Sequence, residues 1–68
     1  MPNTNFSNSI LIETDFVKSM LIDSNFINAN LEGANLLMAN LEGANLQDAK
    51  LQNSSLQRAN TPFNQGIE

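Results

Sequence analysis

The residues that could do chemistry in this chain are few. Glu13 and Asp15 stand two apart and could share a hard cation through their carboxylate oxygens. A solvated edge is the commoner fate of such a pair, and that is the reading taken here. Ser and Thr are plentiful, but with no His in the chain no imidazole base stands ready to activate a hydroxyl. With no Cys either, disulfides and the common zinc and haem constellations are excluded. Gly33 and Gly43 do not make a phosphate loop, because no Lys and no strand-to-helix change follows them. The sequons at Asn5 and Asn53 are chance matches in an Asn-rich, Ser-rich chain. We therefore expect no enzyme, no catalytic residue, no metal and no cofactor.

The bulk numbers narrow the partners. Sixty-eight residues make at most one domain, residues 1–68, with seven acidic against three basic side chains and a net charge of −4. A phosphate-binding face needs clustered Lys and Arg, whereas Lys18, Lys50 and Arg58 are far apart. Direct nucleic-acid binding is not expected. The longest apolar run is Ile10-Leu11-Ile12, far short of the ~20 residues that span a bilayer. Without the basic and apolar regions of a signal peptide, residence in the cytoplasm is the expectation.

What must position any surface is a period of five. Phe6, Leu11, Phe16, Leu21, Phe26, Leu31, Leu36, Leu41, Leu46, Leu51 and Leu56 recur at that spacing, all of them Leu or Phe. Two residues before each stands a small residue, from Thr4 and Ser9 through Ala29–Ala49 to Ser54. Between small and large, Asn is commonest. Such self-similarity marks a repeat protein. An α-helix advances about 100° per residue, so every fifth residue lands roughly 140° further round and the large residues scatter. A strand alternates faces, so a shift of five flips each successive Leu. The chain must therefore turn between units and return each large residue to one interior. Asn suits a turning backbone because its side chain bonds local main chain and it tolerates left-handed conformations. Gly33 and Gly43 relax the corners further.

The units Ala29-Asn30-Leu31-Glu32-Gly33 and Ala34-Asn35-Leu36-Leu37-Met38 resemble those of the pentapeptide-repeat family. The resemblance covers residues 4–60. It implies an all-β fold, a right-handed quadrilateral β-helix with four units per coil and about three coils of twenty residues, 4–23, 24–43 and 44–63. The eleven Leu and Phe named above become the structural core. Ile10, Met20, Lys50 and Ser55 depart from the family's Asp or Asn, and the first five units use Ser or Thr where Ala is commoner. A first coil less regular or less tightly packed than the second is expected from this. Residues 61–68 follow the repeats as a candidate cap, with Phe63 and Ile67 available to fold over the last coil.

In a twenty-residue register Val17 lies beneath Leu37, and Met38 adjoins Leu37. Ile12, Met20, Ile22 and Ile27 also point outward. A clustered apolar patch on a small soluble protein commonly marks an interface. We expect a non-catalytic structural or protein-interaction module, self-associating as a homodimer or binding another protein. Val17, Leu37 and Met38 are the residues expected in a lateral contact, and Phe63 at the C-terminal end. The resemblance supplies one alternative. Some family members mimic duplex DNA and modulate DNA gyrase and related type II topoisomerases. That role needs a long rod with stacked acids. Here Glu32 falls between Ile12 and Gln52, and Asp15 beneath Asn35 and Ser55, so no column carries two acids in succession.

Overall fold

The computed structural model describes residues 2–61. Phe63 and Ile67 lie outside the described residues. From residue 2 onward a two-residue turn recurs every five residues, and a single bridge residue precedes the next large side chain. At each corner the carbonyl of the large residue accepts from the N–H of the small residue three positions on, as in Ser9 N–H to Phe6 O at 3.2 Å and Ala39 N–H to Leu36 O at 2.9 Å. The third residue of each corner has positive φ and the second does not. That combination defines a type II turn.

The corners hold a finding that the sequence reading did not reach. Left-handed backbone does not fall on the Asn that precedes each large residue. It falls two positions after the large residue. Ten non-glycine residues take φ between 57 and 61° there, including Glu13, Lys18, Met38 and Arg58. Gly33 and Gly43 share the position at 70 and 73°, so glycine is one solution among several. Six of the ten are Asn or Asp, which adopt this conformation readily. Glu13, Lys18, Met38 and Arg58 pay a steric penalty for it, which the bonds on either side of the corner offset.

Successive levels are joined at a separation of twenty residues. Eight isolated parallel bridges run from Asn5↔Asn25 through Asn40↔Asn60. Four turn-and-leg units thus close one circuit. Pairing is confined to single bridge residues, and no continuous strand forms among the described residues. The first circuit keeps the same corners and bridges as the others. The expected irregularity is thus corrected for the backbone, because Ser and Thr at the small positions do not disturb the repeating main-chain bonds. The first coil is nonetheless less tightly packed than the second, with Phe6 and Leu11 only partly buried where Phe26, Leu31, Leu36 and Leu41 are fully buried.

The large residues form one column. Phe16, Leu21, Phe26, Leu31, Leu36, Leu41 and Leu46 are buried, with Ala29, Ala34, Ala39 and Ala44 beside them. Phe6, Leu11, Leu51 and Leu56 pack against this cluster but are only partly covered, because among the described residues no further level lies over them. Phe6 stacks on Phe26 at 4.9 Å between centroids, and Phe16 meets both edge-on. The core is aromatic toward the N-terminus and aliphatic beyond it. Buried polar atoms are all partnered among the described residues.

Candidate interaction surface

The surface is set by three outward positions per unit: the bridge residue and the two corner residues. Where Asn or Asp occupies the bridge, its Oδ1 accepts from the N–H two residues on. Seven such bonds form, from Ser7 N–H on Asn5 at 2.9 Å to Gln47 N–H on Asn45 at 3.0 Å. The Asn column is a structural device that caps corner N–H groups. Asp15 is used in the same way, its Oδ1 accepting from Val17 N–H at 3.0 Å. Among the described residues no cluster of His, Cys, Asp or Glu is placed to hold a metal ion.

At Ile10, Met20, Lys50 and Ser55 no such bond is made to Ile12, Ile22, Gln52 or Gln57. Ile, Met and Lys side chains offer no oxygen acceptor there. Two of these substitutions trade a cap for exposed apolar surface. Ile10 is 79% exposed and Met20 54%, with Ile12 at 48%. Ile10 and Met20 lie two units apart, on opposite sides of the first circuit.

The residues expected in a lateral contact are brought together, but unequally. Lys18 N–H bonds to Leu37 O and Met38 N–H to Gln57 O, which stacks the corners 17–18, 37–38 and 57–58. Val17 and Leu37 are half-buried, and Met38 is 39% exposed. Lys18 and Arg58 stand above and below Met38 in its column. The greatest apolar exposure lies instead at Ile10, Met20 and Ile12. The signal for two of them was visible in sequence, as apolar residues where the repeat otherwise has Asn.

Apolar character fades along the stack. The outward positions of residues 4–23 hold Ile10, Ile12, Val17, Met20 and Ile22, and those of residues 24–43 hold Ile27, Leu37 and Met38. Between Asn45 and Asn60 every outward residue is polar.

A repeating five-residue unit with bridged circuits is the architecture of a β-helical solenoid. The family model for pentapeptide repeats matches this chain in eight copies, over residues 1–36 and 24–60. The chain belongs to the pentapeptide-repeat family. Among solved structures it is similar to a pentapeptide repeat protein of the Arabidopsis thaliana thylakoid lumen, at 39% identity and a TM-score of 0.81, covering 82% of this chain and 39% of that one. It is also similar to a pentapeptide repeat protein of the cyanobacterium Cyanothece 51142, at 34% identity and a TM-score of 0.62, covering 90% of this chain and 44% of that one. The chain thus spans less than half the length of either. No curated protein matches it.

Proposed function

We propose that this chain is a short right-handed quadrilateral β-helix of about three coils that serves as a non-catalytic protein-interaction module, binding itself or another protein in the cytoplasm. The observation that carries this reading is the concentration of exposed Ile and Met on the first circuit, at positions where the repeat elsewhere places capping Asn. A cap replaced by exposed apolar surface costs local stability, and an interface offsets that cost. The column of Val17, Leu37 and Met38 extends the apolar surface along one side. The test is sedimentation equilibrium of the wild type and Leu37→Glu over a wide concentration range. Weakened association with an unchanged far-ultraviolet spectrum is expected. Unchanged association would remove that side from the contact.

The topoisomerase reading is the weaker one. Principal extents of 25 × 23 × 20 Å make a block and not a rod. The outward columns alternate acids with Asn, Gln, Gly and apolar residues. Gyrase supercoiling should be unaffected by a large excess of the protein, and inhibition would revive that alternative.

A further inference from the structure

The hydrogen bonds between levels have a direction. On each side of a circuit the preceding level sends two N–H donors and one carbonyl toward the following level. On the first side these are Phe6 N–H to Asn25 O at 2.7 Å, Asn8 N–H to Ile27 O at 2.8 Å, and Thr4 O accepting from Asn25 N–H at 2.9 Å. The same three bonds recur on the other sides, as Leu11, Glu13 and Ser9 pair with Asn30 and Glu32. The two ends of the stack are therefore chemically unlike. The N-terminal rim presents the carbonyls of Asn5, Ser7, Ile10, Ile12, Asp15 and Val17, with the N–H groups of Asn5, Ile10 and Asp15. It is rich in acceptors. The C-terminal rim presents the N–H groups of Leu46, Asp48, Leu51, Asn53, Leu56 and Arg58, with the carbonyls of Ala44, Ala49, Ser54 and Ala59. It is rich in donors. None of these groups has a backbone partner on its open side among the described residues.

We propose that the N-terminal rim is a docking edge for the C-terminal rim of a second copy of this chain, so that copies stack head to tail. This deepens the interaction-module reading and rests on it. Like ends do not match. Two N-terminal rims would oppose two carbonyls for every donor on both sides, and two C-terminal rims would oppose N–H to N–H. Unlike ends match donor to acceptor on three sides and repeat the pairing inside the chain. The fourth side of the N-terminal rim already shows the fit, since Asn3 N–H fills Ile22 O at 2.8 Å. Apolar surface agrees, because partly covered Phe6 and Leu11 would meet partly covered Leu51 and Leu56. Charge agrees as well. The first circuit carries Glu13, Asp15 and Asp23 against Lys18, and the last carries Lys50 and Arg58 against Asp48. The area is small, on the order of 500 Å² per partner from the cross-section, at the low end for specific interfaces. Association should be weak and should rise with concentration. A head-to-tail contact does not close on itself, so short open stacks are expected.

The chain has no Cys, which permits a clean test. Ile10→Cys marks the N-terminal rim at an exposed position that makes no cap. Asn45→Cys, Lys50→Cys, Ser55→Cys and Asn60→Cys mark the four sides of the C-terminal rim. Each is mixed with Ile10→Cys and treated with a short bifunctional thiol reagent. Within one chain the bridged series 10, 30, 50 keeps residues 10 and 50 two levels apart. Head-to-tail stacking gives a crosslinked dimer in one of the four mixtures and none in any variant alone. It also slows amide exchange at Leu46, Leu51 and Leu56 in the wild type as concentration rises. Crosslinking of Ile10→Cys alone means like ends meet, and overturns the proposal. Concentration-dependent association without any crosslink, lost in Leu37→Glu, overturns the rim and leaves the lateral module standing. A monomer at every concentration overturns the stack and the self-associating form of the module, and leaves the apolar face to a different protein. Rim amides protected in that monomer would identify residues 62–68 as the rival occupant.

Discussion

Residues 4–23 and residues 44–61 share one backbone and differ in what they show to solvent. Both turn at type II corners, and both bridge to the level between them. The first has two Phe in its interior, corner N–H groups at Ile12 and Ile22 that no side chain caps among the described residues, and exposed Ile10, Ile12 and Met20. The last has an aliphatic interior and an outside of Gln, Asn, Asp, Ser, Lys and Arg. The difference teaches that in this fold the backbone bonds tolerate nearly any outward residue. Surface character can then vary along the stack without altering the architecture. One end is apolar and acceptor-rich, the other polar and donor-rich.

The comparison rests on a common column, so the largest effect should come from breaking it. Leu31→Asp places a carboxylate at a fully buried level between the two regions, where an unpaired charge is not tolerated. Loss of the folded far-ultraviolet spectrum across the whole chain is expected. A folded variant would mean that the two regions do not depend on a shared interior.

Next in size is the aromatic cluster that the first region forms with Phe26 of the middle level. Phe26→Ala removes the ring stacked on Phe6 and met edge-on by Phe16. A loss of about 3–5 kcal/mol is expected for a buried Phe, read as a lowered urea midpoint. Leu51→Ala, at a half-covered level, should cost clearly less. Equal losses would mean that the ends are as well covered as the middle.

The missing caps give the smaller pair of effects. Asn35→Ala deletes the acceptor of Leu37 N–H and should cost about 1 kcal/mol. Met20→Asn supplies an acceptor to Ile22 N–H and should gain a similar or smaller amount, about 0.5–1 kcal/mol. If Met20→Asn is more stable and associates less, apolar surface was retained there at the expense of the cap. If it is more stable and associates equally, Met20 lies outside the interface. Least affected in stability should be Leu37→Glu, whose readout is association.

Much of the fold was legible. A period of five admits neither helix nor strand, so the turning chain and the single Leu and Phe column followed from spacing. The site was legible in part. Outward apolar residues could be picked out, but Leu37 and Val17 share cover by stacking at twenty residues, which lowers their exposure below that of Ile10 and Met20. Spacing within one unit carries no information on what lies twenty residues away. The corner conformation was legible in part. Asn was expected to turn the chain; the Asn before each large residue instead caps the corner, while the left-handed backbone falls on a separate set of positions that includes Asn3, Asn8, Asn28 and Asn53. At Glu13, Lys18, Met38 and Arg58 intrinsic preference points the other way, and bonding to adjacent levels overrides it.

The sequence by itself determined the interior: eleven large residues at one spacing, flanked by small ones, leave a single way to exclude water. It also determined the fading of apolar character toward residue 60, since outward residues are read directly from their places in the unit. Tertiary structure alone decided the closure at four units and the polarity of the two rims. The physical reason is that both depend on which backbone groups point up or down the stack. Main-chain direction is common to every residue type and leaves no mark in side-chain pattern.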